Sequence, residues 1–216
     1  MTSIRKLFKK PVLYFVADAG LIGKRSILTV VRQAVAGGAG IIQLRAKDFS
    51  TGEFLKKSKT LHDFLIKKGT PFIINDRADV AVACGADGVH LGQDDLPIAD
   101  ARKMLGRKKI IGLSCHTVSQ AKKAQSEGAD YIGVGQVFYT MTKGITQHLI
   151  GVKKLAAIAK SVSIPVIAIG GIKPENAADV MKSGCAGVAV VSAIAAAKNP
   201  RRAAEQFFFT CGLPQV

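Results

Sequence analysis

Short apolar segments alternate with longer amphipathic segments along the whole chain. Eight of the short segments are rich in β-branched and small residues and show no strict alternation of polar and apolar positions. This pattern is typical of parallel strands that helices cover on both faces. The eight predicted strands span residues 12–18, 40–47, 71–76, 88–93, 110–116, 131–138, 165–171 and 187–194.

The segments between these strands have the pattern of amphipathic helices. In residues 52–68, apolar side chains such as Leu61 and Leu65 recur at helical spacing, and Thr51 is expected to cap the helix start. A further helix is predicted around residues 152–160. Four joints between a helix and the next strand resemble one another, each with a glycine suited to ending a helix. They read GGAGII, CGADGVH, EGADYIG and SGCAGVA.

The repeated unit of helix, Gly-containing turn and buried strand occurs eight times in 216 residues, which predicts a (β/α)8 TIM barrel of the α/β class. No Pro- or Ser-rich linker interrupts the repeat, so residues 1–216 are expected to form a single domain. An open doubly wound sheet is the competing fold, but no GxGxxG sequence follows the first strand. We therefore favour the barrel.

Composition narrows the range of functions. The net charge is +16, yet the basic residues are spread in doublets over predicted helix surfaces, aromatic residues are few and Trp is absent. A nucleic-acid interface would cluster basic residues and interleave aromatics, so this pattern argues against one. A basic protein still attracts anionic substrates. The four cysteines form no CxxC pair, which argues against structural zinc and is typical of reduced cytoplasmic thiols.

The chain contains no predicted membrane segment. Its N-terminal sequence, MTSIRKLFKKPVLYFVADAG, begins like a secretion signal, but Asp18 interrupts the apolar run, which fits a first strand better. The most apolar segment, GVAVVSAIAAA, is too short to cross a bilayer. We expect a soluble cytoplasmic protein.

Polar residues follow the predicted strands at the carboxyl end of the barrel, where barrels of this kind have their active sites. Gln43, Arg45 and Lys47 alternate along the second strand, so their side chains leave it on the same face. Two cations at the barrel mouth need a partner with several negative charges. A phosphate or a diphosphate meets this need.

Two aspartates follow neighbouring strands. Asp76 comes directly after the third strand and Asp95 after the fourth, so their carboxylates can approach each other. Such a pair beside phosphate-binding cations indicates a site for Mg²⁺, which prefers oxygen ligands and substrate phosphates. The alternative is helix capping, with Asp76 capping a helix from Arg77 and Asp95 one from Pro97.

The last strands indicate a second anion site. Gly171 closes the seventh strand, and Val191 and Ser192 follow the eighth, where this fold commonly binds phosphate through backbone N–H groups. The barrel mouth is thus predicted to hold two phosphorylated groups. Joining two such substrates with loss of pyrophosphate is a reaction suited to this arrangement.

These residues closely resemble the thiamine-phosphate synthase family over nearly the whole chain. The shared motifs, in order, are IIQLRAKD, FIINDRADVA, GADGVHLGQDDLP, IIGLSCHT, ADYIGVG, TMTK, IPVIAIGGI and GVAVVSAI. The resemblance implies a transferase that joins hydroxymethylpyrimidine diphosphate to thiazole phosphate. It also implies a dissociative reaction, in which pyrophosphate departs, a pyrimidine-methyl cation forms and the thiazole nitrogen captures it.

The resemblance also implies a role for each site residue. The pyrimidine diphosphate would be held by Gln43, Arg45, Lys47, Asn75, Ser114 and Lys143. The thiazole phosphate would lie against Thr140, Thr142, Gly171, Val191 and Ser192. Mg²⁺ would be bound by Asp76 and Asp95. The catalytic residues would be Arg45, Lys47, Ser114 and Lys143, of which the three cations, with Mg²⁺, would stabilise charge on the leaving group.

The loop over residues 136–151 departs from the family pattern, which typically reads like GPIFPTxTKxDA. Gln136 and Tyr139 replace prolines. This loop is expected to help close the site, so the departure is expected to affect substrate affinity and reaction rate. A sister family, the thiazole tautomerases, resembles this chain but has a catalytic histidine at the position of Gln136 and tends to lose the metal aspartates. The synthase is therefore favoured. A divergent paralogue, tautomerase-like or a non-catalytic ligand binder, is the alternative, and a basic nucleic-acid-binding module is the third hypothesis.

Other candidate groups receive structural interpretations. His116 is expected to shape the turn at Ser114, and His90 to be a hydrogen-bonded packing residue. Cys115 has no neighbouring group that suggests an activated nucleophile. The aromatic run at 207–209 is expected to close the bottom or the outer ring of the barrel, with a homo-oligomer contact as the alternative.

Overall fold

The computed structural model describes residues 7–140 and 149–211, the last three of these by backbone only. Eight parallel strands close into a barrel in which each strand pairs with the next and β8 pairs with β1. The (β/α)8 prediction is therefore confirmed. Strands β1 to β8 are Val12–Asp18, Ile41–Arg45, Phe72–Asn75, Gly88–Leu91, Ile110–Cys115, Tyr131–Val134, Val166–Ile169 and Gly187–Val190.

Helices connect successive strands around the outside of the barrel. Among the described residues, two helices lie between β1 and β2, one lies in each of the next six connections, and two follow β8. Helices α1 to α10 are Ala19–Ile22, Ile27–Ala36, Thr51–Lys68, Ala78–Cys84, Ile98–Leu105, Val118–Ser126, Gly151–Lys160, Pro174–Met181, Ser192–Ala195 and Pro200–Cys211.

The strands are buried on both faces. In β1, Leu13 and Phe15 belong to the core between the barrel and the helices, whereas Tyr14 and Val16 face the barrel interior. Successive side chains of a strand point to opposite faces, so both faces must be apolar when both are covered. This explains why the strand segments show no strict alternation of polar and apolar residues.

The start of α3 differs from the prediction by one residue. Ser50 has extended backbone and its hydroxyl accepts a hydrogen bond from the Glu53 N–H at 3.3 Å, whereas Thr51 is the first helical residue. A capping hydroxyl reaches the N–H two or three positions further on from outside the helix. Ser50 meets this condition, so the prediction of Thr51 as the cap was wrong.

The final helix closes the outer ring. α10 contacts α2 and α8, and both Phe207 and Phe208 are buried within the chain. Gly38 leaves the space for this packing, because a β-carbon there would lie 2.2 Å from Cζ of Phe208. These two side chains therefore contribute to the fold of the chain itself.

Across the ranges given above, no helix is both long enough and apolar enough to cross a bilayer.

Candidate active site

The polar residues of β2 lie together at the barrel mouth. Gln43, Arg45 and Lys47 all line one cavity of about 410 Å³, which takes most of its polar lining from β1 to β5 and the segments that follow these strands. Gln43 is deepest and nearly fully buried, Arg45 is half-buried and Lys47 is exposed at the rim. The alternation along the strand thus places three polar side chains on one face of β2, with the neutral amide deepest in the cavity and the two cations nearer its mouth.

Asp18 holds Arg45 in place. It is the last residue of β1, it is buried, and its Oδ2 forms an ion pair with the Arg45 guanidinium. Its other oxygen accepts a hydrogen bond from the Leu21 N–H at 3.1 Å, which caps α1. The ion pair restricts the conformations that the Arg45 side chain can adopt, so less conformational entropy is lost when Arg45 binds a ligand. Sequence reasoning missed this residue, although its place at the end of a strand was a usable signal.

Asp76 and Asp95 meet on the other side of the same cavity. Their carboxyl groups are in hydrogen-bonding contact, and one oxygen of Asp95 accepts from the Gly92 N–H at 2.6 Å. Asp76 has a left-handed backbone with φ of 61°, a conformation that Asp and Asn tolerate better than most residues. This turn directs the chain out of β3 at the rim of the cavity.

The neighbourhood raises the pKa of Asp76 to about 6. Burial is the main cause, followed by the hydrogen bond and the negative charge of Asp95, while Lys47 and Arg45 act in the opposite direction. Two carboxylates in contact thus carry charge that Arg45 and Lys47, the described cations that act on Asp76, offset only in part. A cation placed between them would relieve this repulsion.

Helix capping does not explain the two aspartates. α4 is flanked by Arg77 and α5 by Pro97, and neither start carries a side-chain capping hydrogen bond. The capping alternative was therefore wrong for both residues. Within the described ranges no cluster of three or more His, Cys, Asp or Glu side chains forms a metal site. Two carboxylates would consequently leave most coordination positions of a bound cation to water and substrate.

The remaining predicted residues of this half of the site lie nearby. Asn75, at the end of β3, and Ser114, in β5, both line the 410 Å³ cavity. His90 also lines it and is hydrogen-bonded at both ring nitrogens, 2.8 Å from the Tyr131 hydroxyl and 3.0 Å from the Ser114 hydroxyl. His90 is thus a satisfied histidine, as expected, and one that contacts a site residue directly.

A second cavity of about 600 Å³ adjoins the first. It lies at the ends of β5 to β8, and Ser114 and Val191 line both cavities. The predicted phosphate-binding residues line it together: Thr140, Gly171, Val191 and Ser192. Gly171 has φ of 64°, and a β-carbon there would lie 2.6 Å from the Tyr139 carbonyl oxygen, so only glycine lets the two loops approach.

The loop after β6 is tied to β7. The N–H groups of Val137 and Phe138 donate to the carbonyls of Ile169 and Gly170, each at 3.0 Å. Gln136, at the position of a family proline, is buried against Gly170 and donates to the Thr140 carbonyl at 3.2 Å. The predicted site residues Thr142 and Lys143 lie outside the described residues.

His116 and Cys115 have structural surroundings. The Nδ1 atom of His116 is hydrogen-bonded to the Gly135 carbonyl, which links the end of β5 to the end of β6. Burial raises the pKa of the Cys115 thiol to about 12, so the thiol stays protonated and is a poor nucleophile.

Comparison with known proteins agrees with this geometry. The family model described as thiamine monophosphate synthase matches residues 13–194. A thiamine-phosphate synthase of Chloroflexus aurantiacus is 49% identical over 194 residues, which cover 90% of this chain and 89% of that protein. A thiamine-phosphate synthase of Moorella thermoacetica is 45% identical, with coverage of 90% and 92%. The thiamine phosphate pyrophosphorylase structure from Pyrococcus furiosus superposes with a TM-score of 0.86 at 39% identity, over 95% of this chain and 98% of that one.

The fold and the site define a (β/α)8 barrel enzyme whose paired cavities combine basic side chains, an aspartate pair and close-packed glycine loops. The chain belongs to the thiamine monophosphate synthase family, transferases of thiamine biosynthesis. Its function is accordingly that of a thiamine-phosphate synthase.

Proposed function

We propose that the two cavities bind hydroxymethylpyrimidine diphosphate and thiazole phosphate side by side and join them into thiamine phosphate, with release of pyrophosphate. One observation carries the proposal. Arg45 and Lys47 face the aspartate pair across a single cavity, and that cavity shares Ser114 and Val191 with a second one. Two anionic substrates can therefore lie with their reacting ends near the shared wall.

The first cavity suits the diphosphate. The half-buried Arg45, oriented by Asp18, and Lys47 at the rim supply positive charge where the leaving group gains negative charge. Such preorganised charge is most effective when it is aimed at charge that develops in the transition state. We propose that Asn75 and Ser114 complete the contacts, and that Lys143, which lies outside the described residues, adds a third cation.

The aspartate pair suits Mg²⁺. Asp76 and Asp95 offer two carboxylates in contact, and the raised pKa of Asp76 reflects the repulsion that a divalent cation would remove. When bound, Mg²⁺ supplies Lewis-acid stabilisation of the departing diphosphate. The protein's own part is to hold the two carboxylates at the rim: Asp95 through the Gly92 N–H, and Asp76 through its left-handed turn.

The second cavity suits the thiazole phosphate. We propose that Gly171, Val191 and Ser192 bind the phosphate, with Thr140 and the undescribed Thr142 beside it. In the reaction, the bond between the pyrimidine methylene carbon and the diphosphate oxygen breaks, and the diphosphate keeps the electron pair. The lone pair of the thiazole nitrogen then forms the new C–N bond to the methylene cation.

Calorimetric titration with each substrate tests this division. The pyrimidine diphosphate is expected to bind wild-type protein in a Mg²⁺-dependent manner, and Asp95→Asn to weaken that binding by about tenfold or more. Thiazole phosphate should bind both proteins equally. Asp100→Asn is the matched control, because Asp100 lies on α5 and, among the described residues, forms its ion pair with the exposed Lys103. Equal binding of the diphosphate by all three proteins would contradict the metal site.

We propose that the protein works in a reducing compartment, the cytoplasm. Cys84, Cys115 and Cys185 are unpaired and buried, which supports a reducing, cytoplasmic setting. We propose small phosphorylated molecules as the ligands of this protein, and light scattering on the purified protein would measure whether it forms a homo-oligomer. The synthases at 45–49% identity favour this function over a tautomerase-like or non-catalytic paralogue.

A further inference from the structure

A chain of hydrogen bonds crosses the barrel interior beneath the first cavity. The Gln43 amide nitrogen lies 2.7 Å from the Tyr14 hydroxyl, which lies 2.9 Å from the Tyr131 hydroxyl. The Tyr131 hydroxyl lies 2.8 Å from Nδ1 of His90, whose Nε2 lies 3.0 Å from the Ser114 hydroxyl. These hydrogen bonds therefore connect two residues of the proposed pyrimidine site, Gln43 and Ser114, through three residues that the resemblance does not place in that site.

Two glycines make the chain sterically possible. In the barrel register, His90 of β4 lies beside Gly112 of β5, which lies beside Tyr131 of β6. A β-carbon on Gly112 would lie 2.2 Å from Cζ of Tyr131, and one on Gly133 would lie 3.0 Å from Cε1 of His90. The tyrosine and histidine rings thus meet over positions that carry no side chain.

Both tyrosines remain neutral hydroxyls. Tyr14 and Tyr131 are almost completely buried, and this burial raises the pKa of each hydroxyl well above its ordinary value. Each phenol therefore keeps one hydrogen to donate and can accept one in turn. In a buried chain of this kind, every donor needs an acceptor.

The Gln43 amide sets the direction of donation along this whole series of hydrogen bonds. Its nitrogen only donates, so the Tyr14 oxygen accepts, and the hydrogen of Tyr14 goes to Tyr131. Tyr131 then donates its own hydrogen to Nδ1 of His90. A histidine that accepts at Nδ1 carries its proton on Nε2, and there it donates to the Ser114 oxygen.

The two ends of the chain face the first cavity with opposite character. The Ser114 hydroxyl oxygen accepts from His90, and no described residue accepts the hydroxyl hydrogen. The Gln43 Oε1 atom, on a side chain that is 4% exposed, likewise accepts no hydrogen bond from any described residue. The cavity thus presents an acceptor on β2 and a donor on β5.

We infer that Tyr14, Tyr131 and His90 are positioning residues that fix this donor–acceptor polarity, with His90 protonated at Nε2. The matching ligand is a heteroaromatic ring with an exocyclic amino group that donates to Gln43 and an acceptor atom that faces Ser114. The identity of this ligand rests on the proposed function, because the pyrimidine diphosphate carries such a ring. The polarity itself rests only on the hydrogen bonds.

Nitrogen-15 NMR of the histidine side chains tests the polarity without any substrate. The whole protein has four histidines, so the spectrum contains few signals. The signals that disappear in His90→Gln should show an unprotonated Nδ1 and a protonated Nε2. His62→Gln, on the outer helix α3, is the control and should remove a different set of signals. A proton on Nδ1 of His90, or on both nitrogens, would overturn the inference.

Enzyme kinetics test the role of the polarity. Tyr131→Phe removes the donor to His90, so KM for the pyrimidine diphosphate should rise by about five- to tenfold, the effect of one neutral hydrogen bond. KM for thiazole phosphate should stay unchanged, as should both constants in His62→Gln. His90→Gln can accept from Tyr131 and donate to Ser114 with one amide, so it should retain a lower KM than His90→Phe.

Preference between ligands gives a separate readout. Wild type should favour the amino-pyrimidine diphosphate over an analogue with a keto oxygen in place of the amino group, and Tyr131→Phe should reduce that preference by about tenfold. Tyr131→Phe could instead lower the melting temperature and leave both KM and the preference between the two ligands unchanged. The hydrogen bonds would then serve folding alone, and the positioning role would be overturned. Failure of all synthase activity in wild type, with the Nε2 proton observed, would instead contradict the proposed function.

Discussion

The Asp18 carboxylate forms an ion pair with the Arg45 guanidinium at the mouth of the barrel, and both residues end neighbouring strands in register. Arg45 alone would be a flexible cation at the edge of a cavity. Asp18 is itself buried and tied to the start of α1, so it turns Arg45 into a fixed one. The diphosphate site thus depends on a residue that does not need to touch the substrate.

Removing this support should weaken the diphosphate site more than it weakens the fold. Asp18→Asn keeps a side chain that can cap α1 but loses the charge that orients Arg45. We expect KM for the pyrimidine diphosphate to rise by about tenfold, because one charge-assisted hydrogen bond is lost. KM for thiazole phosphate should not change. Steady-state kinetics with each substrate varied in turn measure both values.

A matched control exists at the other end of the barrel. Asp130 pairs with Arg102 at 2.6 Å, is half-buried, and precedes β6 at the amino ends of the strands. Asp130→Asn should lower the melting temperature and leave both KM values unchanged. If Asp18→Asn and Asp130→Asn had the same kinetic profile, the positioning role of Asp18 would be excluded.

The aspartate pair should make the metal-free protein less stable as pH rises. The pKa of Asp76 is about 6 in the folded protein, against an ordinary value of 3.8 for an aspartate in an unfolded chain, so the folded state favours the protonated form. The stability that this proton contributes is present below about pH 4 and is lost as the pH rises through about 6. In EDTA, Asp76→Asn should therefore melt higher than wild type at pH 7.5, by roughly 2–4 °C.

The difference between the two proteins should shrink as the pH falls below about 4, where Asp76 of wild type becomes protonated in the unfolded state as well as in the folded state. Asn is the appropriate replacement, because it tolerates the left-handed backbone at this position. Mg²⁺ should raise the melting temperature of wild type and have little effect on Asp76→Asn. A difference in melting temperature that does not vary with pH would contradict the repulsion between Asp76 and Asp95.

Two identical substitutions at different glycines should have opposite effects. At Gly112, an added methyl would lie 2.2 Å from Tyr131, so Gly112→Ala should lower the free energy of unfolding by about 1–3 kcal/mol. At Gly52, in α3, no described atom outside the adjacent residues and the surrounding helix backbone lies within 4 Å of the added methyl. Gly52→Ala should raise the free energy of unfolding by up to about 1 kcal/mol.

Chemical denaturation of both alanine variants measures these values. Gly112→Ala should also raise KM for the pyrimidine diphosphate, because displaced Tyr131 no longer donates to His90. Equal stability of the two variants would mean that the interior of the barrel adapts more easily than the contact distances imply.

The strands were predictable because burial on both faces leaves a strong apolar signal. The ends of the strands were harder to predict, because apolar residues continue from the strands into the loops. The segment 131–138 is one example: β6 ends at Val134, and Val137 bonds instead to Ile169, beyond the paired part of β7. The cap of α3 at Ser50 instead of Thr51 shows the same one-residue uncertainty at an element boundary.

The site was predictable where strand alternation decides which side chains point inward. Gln43, Arg45 and Lys47 line one cavity, as their spacing predicts. The chain through Tyr14, Tyr131 and His90 was not predictable, because it requires the register of strands far apart in sequence. In a single strand, a tyrosine among apolar residues is indistinguishable from an ordinary core residue.

The most direct test of the account is product formation. Purified protein is mixed with hydroxymethylpyrimidine diphosphate, thiazole phosphate and Mg²⁺, and thiamine phosphate and pyrophosphate are quantified by chromatography, with Asp95→Asn and Asp100→Asn alongside. We expect both products in equal amounts from wild type and Asp100→Asn, and a loss of about a hundredfold or more in rate for Asp95→Asn. Folded wild-type protein that binds both substrates and releases no thiamine phosphate would contradict the account.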